Sequence, residues 1–117
     1  MNEQKIPFLY GYRGGVWLLL GLGLLHTILT PVFFRHLDEA ALWFAGSGLA
    51  LTFCALLNLV VLHNPNKNGF RVAFLANALG SAFGALVLIV LALPQAALSL
   101  VAFLLCLWGS GRSVRVR

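Results

Sequence analysis

Four long stretches free of Asp, Glu, Lys and Arg organise the sequence: Gly15 to Phe34, Ala40 to Leu62, Phe70 to Leu93, and Gln95 to about Gly109. A bilayer hydrocarbon core of ~30 Å takes about 20 helical residues to cross. The first three stretches suffice as they stand. The fourth reaches that length if its helix runs on toward Gly111 to Ser113. None alternates with the period of two that a barrel strand requires, and lipid cannot satisfy an exposed backbone, so all four are predicted as helices. The expected boundaries are about 15–34, 40–62, 70–93 and 95–111, in one domain spanning 1–117. Short connections make sequential neighbours antiparallel, giving an all-α, four-transmembrane-helix bundle.

The gaps carry their own signals. The lead-in Tyr10-Gly11-Tyr12-Arg13-Gly14-Gly15 is Gly-rich, which predicts a segment lying along the headgroups and not a helix. In Arg35-His36-Leu37-Asp38-Glu39, Asp38 is placed to cap the second helix and Glu39 to sit at its positive end. The run from His63 to Gly69 strings together turn formers, with Gly69 expected to end or re-aim the chain. Pro94 closes the third helix and suits the first turn of the fourth. The first apolar run is longer than the ~7–15 residues of a signal-peptide core and no small-x-small site follows Leu25, so it is read as a retained helix.

Composition agrees. Of 117 residues, 61% are hydrophobic and 9% charged, with a mean hydropathy of +0.94. A soluble domain carries about 25% charged residues, so this chain has too few to cover a water-facing surface. The charges that exist are segregated by loop. Lys5, Arg13, Lys67, Arg71, Arg112, Arg115 and Arg117 fall on one side of the predicted topology, and Arg35 alone, beside Asp38 and Glu39, on the other. A seven-to-one bias places both termini and the middle loop in the cytoplasm. The net charge of +5 therefore reflects membrane anchors and not a nucleic-acid surface. The tail arginines fix topology, and they are placed to touch anionic headgroups at ~1 kcal/mol per basic residue. Trp17 and Trp108 are expected near the inner interface, with Tyr10 and Tyr12 just outside it, and Trp43, Phe33 and Phe34 near the outer one.

Polar groups inside the spans are the candidate chemistry, because each is costly without a partner. His26 falls near mid-depth of the first helix. Pro31 frees the carbonyl of Thr27, predicting a kink that leaves His26, Thr27 and Thr30 as a polar cluster, with Cys54 or Ser81 as partners from neighbouring helices. Ser47, Ala50, Cys54 and Asn58 recur at helical spacing, as do Asn77, Ser81 and Gly84, and Gln95, Ser99, Ala102 and Cys106. Such small, polar stripes should face inward. Asn58 and Asn77 flank the inner turn at about 6 and 10 Å depth, at 1.5 Å per residue. That predicts an amide–amide hydrogen bond worth about 0.6 kcal/mol. Gly80 and Gly84 form a GxxxG match and predict close helix packing. The candidate ligand-binding residues are thus His26, Thr27, Thr30, Cys54, Asn58, Asn77 and Ser81. Cys54 and Cys106 are expected at different depths, which argues against a disulfide or a metal site between them.

Absent residues exclude several classes. There are no paired carboxylates, no Ser–His–Asp set, no metal cluster and no phosphate loop, and the histidines lie at different depths, which argues against a haem. No catalytic residue, cofactor or metal is expected. The small multidrug-resistance transporters, similar in length and helix count, need an intramembrane carboxylate, and none exists here. The Fluc fluoride channels, also of this size, insert in both orientations, which the charge bias opposes. The early Gly23, His26 and Pro31 with the later Gly46-Ser47-Gly48 resemble DoxX-like small bacterial membrane proteins over about the first half of the chain. The resemblance implies an accessory role in a membrane redox complex and assigns no catalytic residue. The sequence thus predicts a non-enzymatic protein of the bacterial inner membrane. Its partners are the bilayer and either itself or another membrane protein. It would act as an accessory subunit or hold a small apolar ligand or lipid near His26, the alternative being a small homo-oligomeric transporter or channel.

Overall fold

A computed structural model describes residues 6–116, with side-chain environments from Phe8 onward. Glu3, Lys5 and Arg117 lie outside the described residues. Four helices follow in order: α1 (Ile6–Phe33), α2 (Glu39–His63), α3 (Lys67–Leu91) and α4 (Pro94–Val116). Each is long and apolar enough to cross a membrane, and only 17% to 33% of each span's apolar window is buried. Many large apolar side chains, among them Ile28, Val32, Leu79, Ile89 and Val90, are exposed on the outer face, the pattern of a multi-pass membrane protein in a lipid solvent. Its long dimension is 52 Å, which exceeds the ~30 Å of hydrocarbon and carries the helix ends into the headgroups.

α1 departs from expectation. It begins at Ile6 instead of about residue 15, and the Gly-rich lead-in is fully helical. Each Gly costs about 1 kcal/mol of helix propensity, but here the missing side chains permit contact. Trp108 and Leu105 of α4 lie against Gly11, and a Cβ on Gly15 would meet Leu105, the Ala102 carbonyl and the Cys106 sulfur. Tyr12, expected outside the interface, is completely buried. Its ring rests on Gly109. Tertiary packing has overridden local propensity.

The loops follow turn chemistry. Asp38 caps α2, its Oδ1 accepting from the Ala41 N–H at 2.8 Å. Asn66 caps α3, accepting from the Gly69 N–H at 2.7 Å. Gly69 therefore sits inside the first turn of α3 and does not redirect the chain. α3 ends at Leu91, and Ala92 closes it in the left-handed region, φ 47°. Pro94 then starts α4.

Packing order differs from chain order. α1 contacts both α2 and α4 extensively, and α3 packs on α4, whereas α2 and α3 meet only sparsely despite their short connection. α1 and α2 approach most closely where glycine faces glycine. A Cβ on Gly23 would lie 2.5 Å from Thr52 Oγ1 and 2.7 Å from the Gly48 carbonyl oxygen. One on Gly48 would lie 2.5 Å from Thr27 Oγ1 and 2.9 Å from the Gly23 carbonyl oxygen. Two Gly-x-x-x-Thr segments thus interlock reciprocally, each threonine hydroxyl donating to its own helix at the partner glycine's level: Thr27 to Gly23 and Thr52 to Gly48, both at 2.9 Å. This corrects the stripe expected on α2. The inward face is Gly48, Thr52, Ala55 and Asn58, about one residue's rotation from the predicted line, and Ser47 and Ala50 face outward. On α3, the Phe103 ring of α4 fills the space above Gly80, and Gly84 lies against Leu100.

Candidate functional site

The polar interior lies toward one end of the bundle, the end that carries Arg13, Lys67, Arg71, Arg112 and Arg115. Tyr12, Asn58, Asn77 and Ser110 come one from each helix, and all four are completely buried. The two amides form a closed pair: Asn58 Nδ2 donates to Asn77 Oδ1 at 3.0 Å, and Asn77 Nδ2 donates to Asn58 Oδ1 at 2.9 Å. Tyr12 Oη donates to Asn58 Oδ1 at 2.7 Å. Asn77 Nδ2 reaches Ser110 Oγ at 3.2 Å, and Ser110 in turn donates to the Cys106 carbonyl at 2.7 Å. Asn58 Nδ2 also donates to the Cys54 carbonyl at 2.8 Å, and Cys54 Sγ donates to Asn77 Oδ1 at 3.5 Å.

An amide offers two N–H donors and one carbonyl oxygen with two lone pairs. Asn58 and Asn77 use all of them on each other and on groups of this chain. The amide pair is saturated, with no amide donor or acceptor left for a ligand. Its effect is to pin four helices to one another at a single level. The hydrogen bond expected between the amides is present. Tyr12, in a Gly-rich lead-in expected outside the interface, and Ser110, beyond the apolar run of the fourth helix, are the two members of the cluster that sequence pattern does not single out. The recurrence of a polar residue four after a cysteine on two helices, Cys54 with Asn58 and Cys106 with Ser110, is the signal that would have linked them. The two cysteines accordingly occupy the same layer, one turn from the amide pair, and not different depths. Both are free thiols.

Around His26 the expected cluster does not assemble. Its half-buried ring stacks on Phe44 of α2, centroids 3.8 Å apart at 19°, and Phe33 and Phe34 pack around the same Phe44 at 5.9 and 5.3 Å. Neither Cys54 nor Ser81 bonds to it. The α1 hydroxyls turn to their own backbone instead, Thr27 to Gly23 and Thr30 to His26 at 3.1 Å. A hydroxyl in a helix can satisfy itself this way without a neighbour, so Pro31 need not recruit the side chains nearby. Ser81 is buried, and its Oγ has no partner. Gly80 and Gly84 serve the α3–α4 contact described above.

Among the described residues, no group of three or more His, Cys, Asp or Glu side chains is arranged to hold a metal ion. The sequence matches no protein-family profile, no curated protein and no solved structure.

Proposed function

We propose that this chain is a non-enzymatic accessory subunit of a membrane assembly, an antiparallel four-helix bundle of the bacterial inner membrane with both termini cytoplasmic. The observation that carries the reading is the saturation of the interior amide pair. With its central amides spent on internal bonds, the bundle offers a partner its outer surface more than an internal site. The exposed stripe of α2, with Gly46, Ser47 and Ala50 facing outward and nothing within 4 Å of a Cβ on Gly46, is the surface on which another helix can approach closely. The neighbouring His26–Phe44 stack is where such a partner, or a small apolar molecule or lipid, would meet α1 and α2. Orientation is supported by the loop charges, which put Arg35 alone at the end opposite the other described basic residues.

Photocrosslinking in native membranes tests the proposal. A photoreactive side chain at Ser47 is expected to yield one discrete adduct with a second, different protein, and the same group at Leu79, 72% exposed on α3, to yield only lipid adducts. Identical lipid-only patterns at both positions would refute the subunit reading. A Ser47 adduct with a second copy of this chain would favour the homo-oligomeric transporter or channel.

A further inference from the structure

At the basic end, α3 and α4 enclose a groove on the outer face of the bundle. Its volume is about 850 Å³. Phe74 of α3 with Leu104 and Trp108 of α4 form apolar walls, and Arg71, Arg112 and Arg115 line the same groove. Along α4, Leu104 lies eight residues, or about 12 Å, from Arg112. The groove thus grades over one acyl-chain segment from apolar wall to guanidinium. Gly111 keeps it open: a Cβ there would already stand 3.2 Å from the Phe74 ring.

The three arginines share a second property. The described carboxylates, Asp38 and Glu39, lie at the start of α2, at the opposite end of the bundle. None of the three arginines has a carboxylate partner among the described residues. Arg112 is steadied instead by the Phe8 ring, 5.7 Å from its Cζ, and that ring meets Trp108 edge-on at 6.3 Å. Three guanidinium groups with no described carboxylate partner, set beside an apolar wall, suit an anion that carries hydrocarbon. Guanidinium is suited to phosphate through paired N–H donors.

We propose that this groove binds one anionic glycerophospholipid, its phosphate held by Arg71, Arg112 and Arg115 and an acyl chain lying along Phe74, Leu104 and Trp108. The site is separate from the α2 surface proposed for a protein partner and does not depend on which way the chain inserts. Arg13 is the internal control, because it is exposed at the same end but does not line the groove.

Native mass spectrometry of the detergent-purified protein, with phosphatidylglycerol or phosphatidylcholine of matched chains added, tests the assignment. One phosphatidylglycerol per chain should survive desolvation, and phosphatidylcholine should be lost. At ~1 kcal/mol per basic residue, Arg71→Gln and Arg115→Gln should each weaken retention about fivefold, and Arg13→Gln should leave it unchanged. A second readout does not rely on altering the arginines. In the Trp17→Phe/Trp43→Phe protein, Trp108 is the remaining tryptophan, and lipid brominated on the upper acyl chain should quench it more as phosphatidylglycerol than as phosphatidylcholine. Equal losses from Arg13→Gln and Arg71→Gln would reduce the effect to general surface charge and overturn the site. So would equal quenching by the two lipids. Displacement of the lipid by inorganic phosphate at equal concentration would show that the headgroup alone is recognised, and would overturn the acyl-chain half.

Discussion

The amide cluster makes a prediction in which the number of orphaned groups, and not the number of lost bonds, sets the cost. Tyr12→Phe removes one hydrogen bond, and Asn58 Oδ1 keeps its donor from Asn77. Nothing is left unsatisfied, so the loss should be about 0.6 kcal/mol, the average for an interhelical bond in a membrane. Asn58→Leu is different. It strands the Tyr12 hydroxyl and one N–H of Asn77, both wholly buried. At about 1–3 kcal/mol per orphaned group, the expected cost is about 3 kcal/mol. Adding Asn77→Leu removes one orphan, and adding Tyr12→Phe removes the other, since Ser110 still donates to the Cys106 carbonyl. The triple variant should therefore be more stable than Asn58→Leu alone. Reversible unfolding by SDS in mixed micelles, followed by far-UV circular dichroism, gives the four free energies. Additive losses, with the triple variant the least stable, would refute the reasoning and show that each group has an independent partner.

Three further outcomes follow from the packing. Gly23→Val should separate α1 from α2 and cost about 1–3 kcal/mol by overpacking, whereas Gly46→Val, with open space around its Cβ, should change the same unfolding midpoint little; equal effects would deny the glycine contact. His26→Ala should cost about 0.5–1.5 kcal/mol, the worth of a ring pair beyond its area, and His26→Phe should restore most of it; failure of the phenylalanine to rescue would mean that the imidazole nitrogens, and not the stack, matter. Reporters fused after Arg117 and within Pro65 to Asn68 should read cytoplasmic and one near Leu37 exterior, and a mixed signal at either terminus would revive insertion in both orientations.

Helix number and class were legible because a membrane span is a property of composition over about 20 residues, which Gly15 to Leu93 displays three times without interruption. Asn58 and Asn77 were legible for a related reason: both are costly at that depth and both lie a few turns from one short loop, so their meeting required no knowledge of packing. Tyr12 was not, because the Gly propensity penalty around it is local while its compensation comes from α4, nearly a hundred residues away. The orientation of α2 failed on the same ground. Ser47 and Ala50 are small enough to face a neighbour, but Gly23 of α1 meets Gly48, and that choice depends on which glycines meet. His26 was assigned a polar environment by its cost in lipid. The flat ring of Phe44 supplied an alternative that a count of hydrogen-bond partners does not register.

The sparse meeting of α2 with α3 has a consequence for biosynthesis. Helices leave the ribosome in chain order, but α1 here packs against the fourth helix as well as the next one. When α3 enters the bilayer, its contacts with α2 are few, and α4, which covers Gly80 and Gly84 and supplies Ser110, does not yet exist. The nascent three-helix intermediate therefore holds a tight α1–α2 hairpin with a third helix tied to it chiefly through the Asn58–Asn77 amide pair, Ser110 being the one partner of Asn77 still to come. Arrival of α4, 23 residues from Pro94 to Val116, closes the first helix onto the fourth and completes the four-helix contacts.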